Sequence, residues 1–414
     1  MLFSEPEPEP QPQPQHSHPH PEPEPWAGWL PHKLRFRDGG WRASWAFVGT
    51  ERLSDPFLHH TVARLEAGGA GWPPRRATLT AAALAEAAAG VPVSLAPAAF
   101  VLHCSRCGST LLCNALRAVR STVVVAEPGA VNDLLLRLAT DESLSLDAQT
   151  DGQSLLQPLC RSLGQTRCGD EQRAVVKLSS WNIMCFRAHL RRAWPTVPWL
   201  FLYRDPVEVA VSQLREPSGW MNLRTSNPTA AARLFGIEES ALVSMGTEEW
   251  CAFALAHYYS EAADAADEDP SHSALVDYRD LDAQMLLRLT AWMGRGQLRL
   301  SSTETLVDAL VAAALSPACA LTPDEHRAMD AATGTYSKQK LPATSEDASE
   351  EQRWQPDAES KRREASPELL AALETAGCFE SFERLRAHRS SFKIVNDEAV
   401  GPADTMPQRA RPAG

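Results

Sequence analysis

"VLHCSRCGSTLLCNAL", residues 101–116, is the stretch on which the fold turns: an apolar run of strand length breaks into a short polar loop and then resumes at helical spacing. A loop entered from a strand and left into a helix lies at the helix N-terminus, where unpaired N–H groups and the positive end of the dipole favour an anion. Within this loop Gly108 lets the backbone approach a ligand closely, Ser109 and Thr110 offer hydroxyl donors, and Arg106 adds a permanent cation. The same residues also spell Cys104-Ser105-Arg106-Cys107, the Cys-x-x-Cys spacing of a thiol-disulfide site. The Walker A spacing Gly-x-x-x-x-Gly-Lys-Ser/Thr occurs nowhere in the chain, which disfavours a nucleotide kinase. Neither a second Cys-x-x-Cys nor a nearby His cluster completes a zinc site, so no metal is expected here.

The sequence around the loop repeats its pattern. "AFVLHC", "TVVVAE", "AVVKLS" and "PWLFLYR" are β-branched or aromatic runs, and "STLLCNALRAV", "AVNDLLLRLA" and "NIMCFRAHLRRAW" between them have apolar residues near helical spacing. Near-continuous apolar strands alternating with helices predict a doubly wound α/β domain, a parallel sheet covered on both faces, with a P-loop-like phosphate-binding loop at 104–110. Ligands of such sheets bind outside the carboxyl ends of the strands. A second strand-to-helix junction, "WLFLYRDPVEVAVSQL", places Arg204 at a strand end and Ser212 eight residues on, in the helix that begins near Pro206. A guanidinium and a hydroxyl so placed can converge on one phosphate, although Arg204 could equally pair with a carboxylate at the strand end.

Together the two junctions resemble the sulfotransferase family, whose donor is 3'-phosphoadenosine 5'-phosphosulfate (PAPS). That family has a Pro-Arg/Lys-Ser-Gly-Ser/Thr-Thr loop for the 5'-phosphosulfate and, later, an Arg-Asp-Pro…Ser segment for the 3'-phosphate. Arg106, Gly108, Ser109 and Thr110 match the first, with Cys107 in place of the serine and Ser105 in place of the proline; Arg204 and Ser212 match the second. "VDYRDLDAQMLLRLTAWMG" is similar to the family's Tyr-Glu-Asp-Leu strand-and-helix segment at Tyr278 and Leu281, whereas the Arg-Lys-Gly segment of cytosolic members is not visible. The resemblance spans about residues 98–295. It implies PAPS as co-substrate, no metal, and a small-molecule or carbohydrate acceptor bearing a hydroxyl or amine. Arg106, Cys107, Gly108, Ser109, Thr110, Arg204 and Ser212 would bind the donor.

In-line sulfuryl transfer needs charge stabilisation on the leaving phosphate and a group to take the acceptor's proton. Arg106 serves the first. For the second, Glu127 ends the strand "VVVAE" before Pro128 and Gly129, where its carboxylate should face the cleft, or else cap the next helix. Lys177, ending "AVVK", could set a cation on the sulfonate. His103 and His257 read as packed histidines. The rival readings are a thiol-disulfide protein using Cys104 and Cys107, and a nucleotide-binding member of the fold that lost its chemistry.

Outside this domain the chain divides into a Pro/Glu/His-rich tail at 1–25, expected to be disordered, a small α+β cap at 26–97, the α/β domain at 98–389 with a flexible segment at 334–365, and a tail at 390–414. Alternate prolines favour extended polyproline II in the first tail, and its His16, His18 and His20 carry no assigned function. In the cap, "LRFRDGGWRASWAFVG" alternates across an Asp38-Gly39 turn like a hairpin, "ATLTAAALAEAAAG" reads as a helix, and Trp26, Trp29, Trp41 and Trp45 as an apolar face. "REPSGWMNLRTSNP" reads as a mobile substrate loop. The length of 414 residues and 44% hydrophobic content suit a substantial core, and a net charge of −12 argues against a general nucleic-acid binder. Nine scattered cysteines fit reduced, buried thiols, and no apolar run reaches the roughly 18 residues of a membrane span. With no secretory pattern at the N-terminus, the expected location is cytoplasmic.

Overall fold

The computed structural model describes residues 26–67, 76–89, 94–281 and 358–388, with residues 285, 289, 292 and 293 singly. The tails at 1–25 and 390–414, and the segment before residue 358, fall outside these residues, as does most of the helix expected after Leu281.

The cap is an antiparallel sheet of β1 (Trp29–Arg37), β2 (Gly40–Phe47) and β3 (Arg76–Thr80), in that order, with α1 (Leu58–Ala67) before β3 and α2 (Ala81–Ala89) after it. Asp38 and Gly39 close the hairpin with φ of 52° and 73°, the pair of left-handed residues that a tight two-residue hairpin turn requires. Leu79, read from sequence as helical, instead lies opposite Ala43 in β3. Threonines flank it on both sides, and pairing with β2 overrides the helix signal, which begins only at Ala81. Trp41 and Trp45 are buried, and the Trp41 indole N–H donates to the Ala148 carbonyl at 2.9 Å, fastening cap to domain.

The main sheet contains β4 (Pro97–His103), β5 (Thr122–Ala126), β6 (Arg173–Lys177), β7 (Trp199–Tyr203) and β8 (Ser273–Asp277), ordered β5-β6-β4-β7-β8 with every neighbouring pair parallel. Every residue of β4, β5 and β7 is buried, as a sheet covered on both faces demands. The flanking helices include α3 (Ser109–Ala118), α4 (Gly129–Thr140) and α5 (Leu146–Leu163). The helix expected over 182–194 is broken: a 3₁₀ turn at Ser180–Asn182, α6 (Ile183–Cys185), then a π-helical turn at Phe186–Arg191. After β7 come α7 (Pro206–Arg215), α8 (Leu223–Ser226), α9 (Pro228–Phe235), α10 (Glu239–Ser244) and the long α11 (Thr247–Glu268). The segment read as a mobile substrate loop is thus largely helical turns.

At the C-terminal end, α12 (Ala358–Glu364) replaces the last part of the segment expected to be flexible, followed by α13 (Pro367–Thr375) and α14 (Cys378–His388). Leu369, Leu373, Phe382 and Leu385 are buried, and Arg384 pairs with Asp264 and Asp267 of α11. Burial of these apolar side chains explains why a charged stretch ends in an ordered helical hairpin.

Candidate active site

The site begins at the end of β4. Ser105, Arg106 and Gly108 have φ of 69°, 52° and 83°, three left-handed residues within a five-residue loop. Such a backbone turns its N–H groups into a concavity suited to an anion, and each non-glycine residue held this way costs about 1–3 kcal/mol. At Gly108 the requirement is also steric, because a Cβ there would lie 2.6 Å from Cε2 of Tyr278. The following helix, α3, has no side-chain cap at its N-terminus.

Strand β7 lies directly beside β4, so the second junction meets the first. Arg106 Nε donates to Ser212 Oγ at 2.8 Å and its Nη2 to Glu216 Oε2 at 2.7 Å. Two motifs separated by 106 residues thereby share one contact. Arg204 is buried; its Nε donates to Glu208 Oε2 at 2.6 Å, its guanidinium lies 4.5 Å from the Tyr278 ring centroid, and its carbonyl accepts from the Tyr259 hydroxyl at 2.7 Å. The expected alternative, a carboxylate partner for Arg204, is therefore present beside the predicted ligand role. Asp205 caps α7 by accepting from the N–H groups of Val207 and Glu208, which fixes where Ser212 faces.

The far side of the site is built on β5 and β6. Lys177, read from sequence as a strand-end lysine at the cleft, is only 1% exposed, and its Nζ donates to Glu127 Oε1 at 2.6 Å. Ser179 Oγ donates to the other Glu127 oxygen at 3.3 Å, and His103 Nε2 lies 3.5 Å from Oε1. Burial opposes ionisation of Glu127, but the adjoining Lys177 ammonium and His103 outweigh it and hold the carboxyl well below the usual carboxylate range. Glu127 is thus an ion-paired anion, not a helix cap. His103 is buried as expected: its Nδ1 accepts from the Ser105 N–H at 2.9 Å and its Nε2 faces the Leu178 carbonyl at 3.0 Å. His257 packs among Phe235 and Phe253.

These groups border one cavity of about 440 Å³. Every residue expected to bind donor or act on it lines that cavity except Cys107. Cys107 is 0% exposed and its thiol donates to the Leu202 carbonyl at 3.1 Å, so its side chain turns into the core and only its backbone stays with the loop. Cys104 is equally buried, and burial pushes its thiol well up. A dithiol enclosed on all sides lacks the exposed thiolate that exchange chemistry needs.

The lining residues that escaped the sequence reading include Phe57 and His59 from the cap, Ser179, Ser180 and Trp181 after β6, and Lys361 of α12, which is 4% exposed. The basic run "SKRRE" at 360–364 was the only local signal for Lys361. Its neighbour Arg362 pairs with Asp205 Oδ2 at 2.7 Å, tying α12 to the start of α7.

No protein-family model matches the chain, and no curated protein matches it. Among solved structures it is similar to a sulfotransferase from Alicyclobacillus acidocaldarius, at 16% identity over 54% of this chain and 93% of that one, with a TM-score of 0.30. It is also similar to the sulfotransferase domain of the curacin biosynthetic pathway, at 15% identity over 57% of this chain and 98% of that one, with a TM-score of 0.31. Retinol dehydratase, solved with androsterone and the inactive cofactor PAP, is similar at 14% identity over 78% of this chain and 89% of that one, with a TM-score of 0.24.

Proposed function

We propose that the chain is a sulfotransferase that moves a sulfonate from PAPS to a hydroxyl or amine of a small-molecule or carbohydrate acceptor. The observation that carries this reading is the Arg106–Ser212 contact, which joins a left-handed, glycine-dependent anion loop to a second basic strand end in one cavity. The residues fit a ligand with two separated anionic ends. The loop, the N-terminus of α3 and Arg106 suit the 5'-phosphate, while Arg204, Ser212 and Lys361 suit the 3'-phosphate. When bound, the donor supplies an activated sulfonate. Arg106 and the α3 N–H groups then sit against the phosphate that gains negative charge as the bond to sulfur breaks, and their hydrogen bonds strengthen in the transition state. Lys177, aimed by its 2.6 Å contact with Glu127, would meet the sulfonate between donor and acceptor.

Thermal shift separates this reading from its rivals. Adenosine 3',5'-bisphosphate at a hundredfold excess over Kd should stabilise the protein by about 2.7 kcal/mol, whereas ADP and ATP, lacking the 3'-phosphate, should give much less. Equal stabilisation by ADP would overturn the donor assignment, and bisphosphate binding without PAPS turnover would favour the fold's non-catalytic reading. Cys107→Ser should leave bisphosphate affinity within about twofold, because its side chain does not reach the cavity; loss of a thiol-disulfide activity with that change would favour the redox rival.

The Arg106–Glu216 pair gives a further expectation. Glu216 is 55% exposed, and a phosphate on Arg106 must displace it. Exposed pairs are worth up to about 1 kcal/mol, so Glu216→Gln should tighten bisphosphate binding by up to about fivefold in a calorimetric titration. An unchanged or weakened affinity would place the anion elsewhere.

A further inference from the structure

We infer that His59, carried by the N-terminal cap, receives the acceptor's proton, so that the cap completes the catalytic machinery of the α/β domain; this rests on the sulfotransferase reading above. Three groups bordering the cavity have a lone pair of suitable basicity in principle: Glu127, His103 and His59. Glu127 is bound to Lys177 at 2.6 Å and is a poor base while that pair lasts. On His103, Nδ1 is occupied by the Ser105 N–H, which places the neutral ring's proton on Nε2, facing Leu178 O. That ring offers the cavity no lone pair.

His59 differs on each point. Among the described residues neither of its ring nitrogens has a hydrogen-bond partner, and its ring stacks on Phe57 with centroids 5.5 Å apart and planes 12° apart. Phe57 in turn lies over Lys177, its ring centroid 4.9 Å from Nζ. The imidazole is therefore held one aromatic ring away from the cation assigned to the sulfonate, at the cap side, where an acceptor would enter. The groups that set its charge are His60 on its own helix, 4.3 Å away between centroids, and Glu127 at the end of β5; Lys177 stands behind Phe57. Partial burial and then His60 lower its pKa, against a smaller opposing pull from Glu127, so the ring is neutral and able to accept a proton near pH 7.

In the step, the acceptor oxygen bonds to sulfur while the bond from sulfur to the 5'-phosphate oxygen breaks. That oxygen keeps the electron pair, and the acceptor's O–H proton passes to a ring nitrogen of His59. The products are a sulfate ester, adenosine 3',5'-bisphosphate and an imidazolium that returns its proton to solvent.

The test measures bisphosphate release from PAPS with water or a panel of simple phenols and alcohols as acceptor, alongside bisphosphate binding. His59 is exposed, so His59→Gln should fold normally. We expect His59→Gln to bind bisphosphate within about twofold of the parent but to release it about 10²-fold more slowly, with loss of the acid limb of the kcat profile. Imidazole should partly rescue His59→Ala, and His60→Gln, which removes a neighbour that lowers the His59 pKa, should move the acid limb to higher pH. Full turnover by His59→Gln with its acid limb unchanged would overturn the inference alone. Failure of the parent to bind bisphosphate would overturn the sulfotransferase reading and the inference with it, and binding without release from any acceptor would overturn the inference and the catalytic part of that reading.

Discussion

Arg204→Ala should abolish the stabilisation by adenosine 3',5'-bisphosphate while leaving the small response to ADP unchanged. Arg204 is the buried cation at the β7 end of the cavity, packed on Tyr278, and its guanidinium is the group proposed to meet the 3'-phosphate. Removing one partner of a buried charge-assisted contact costs about 2–5 kcal/mol, hence a loss of affinity of at least about thirtyfold. Loss of Arg204 also strips Glu208 of its 2.6 Å partner, so the variant's own melting temperature should fall. Arg204→Lys keeps a charge near Glu208 but loses the planar fork, and should retain most of the stability and little of the binding. A thermal melt with and without bisphosphate reads both effects. Arg204→Ala that binds bisphosphate as the parent does would remove the 3'-phosphate assignment.

Lys177→Met should be the most damaging single change for folding. Breaking a buried ion pair from one side costs up to about 3–5 kcal/mol, because the partly buried Glu127 loses the ammonium that balances its charge and keeps only His103 and Ser179 beside it. The double variant Lys177→Met with Glu127→Gln should recover most of that loss, though not turnover. The pH dependence follows from the sign of the Glu127 shift. In the parent the carboxyl is held below its unfolded value of about 4.3, so its stabilising contribution is present above that pH and fades as pH falls toward the folded value. In Lys177→Met the lowering by Lys177 is gone and burial is opposed only by His103 and the Ser179 hydroxyl, so the carboxyl rises, and the penalty is largest near pH 7 and shrinks on acidification. Urea melts at pH 7 and pH 4 should therefore show the gap between parent and variant shrinking at the lower pH. A constant gap would mean that Lys177 stabilises by packing, not by charge.

The strands and the anion loop were legible because their signal is local. "AFVLH" and "WLFLY" have no polar partner for a solvent face, and Gly108, Ser109 and Thr110 follow such a run at a helix start. What escaped depends on pairing across distance. That Lys177 lies in the core follows from Glu127, 50 residues away, sitting on the neighbouring strand. Strand β3 exists because β2 offers an edge. Helix α5 went unread because its first turns, "LDAQTDGQ", are polar and Pro158 interrupts the apolar positions Leu155, Leu156, Leu159 and Leu163. Lys361 and His59 reach the cavity from opposite ends of the chain, and no spacing rule links them to residue 106.

The strand order gives the cavity a dimension. Each of the five strands delivers a polar group at or just beyond its carboxyl end: Glu127 after β5, Lys177 as the last residue of β6, the anion loop after β4, Arg204 after β7 and Tyr278 after β8. Neighbouring strands stand about 4.8 Å apart, so this edge is a ruler of roughly 19 Å laid across the sheet. An inorganic anion covers a single graduation of it. The molecule that satisfies the whole edge must be elongated, must lie perpendicular to the strands, and must present its reactive group between β4 and β6, where reversing it end for end would bring the wrong charge to Glu127.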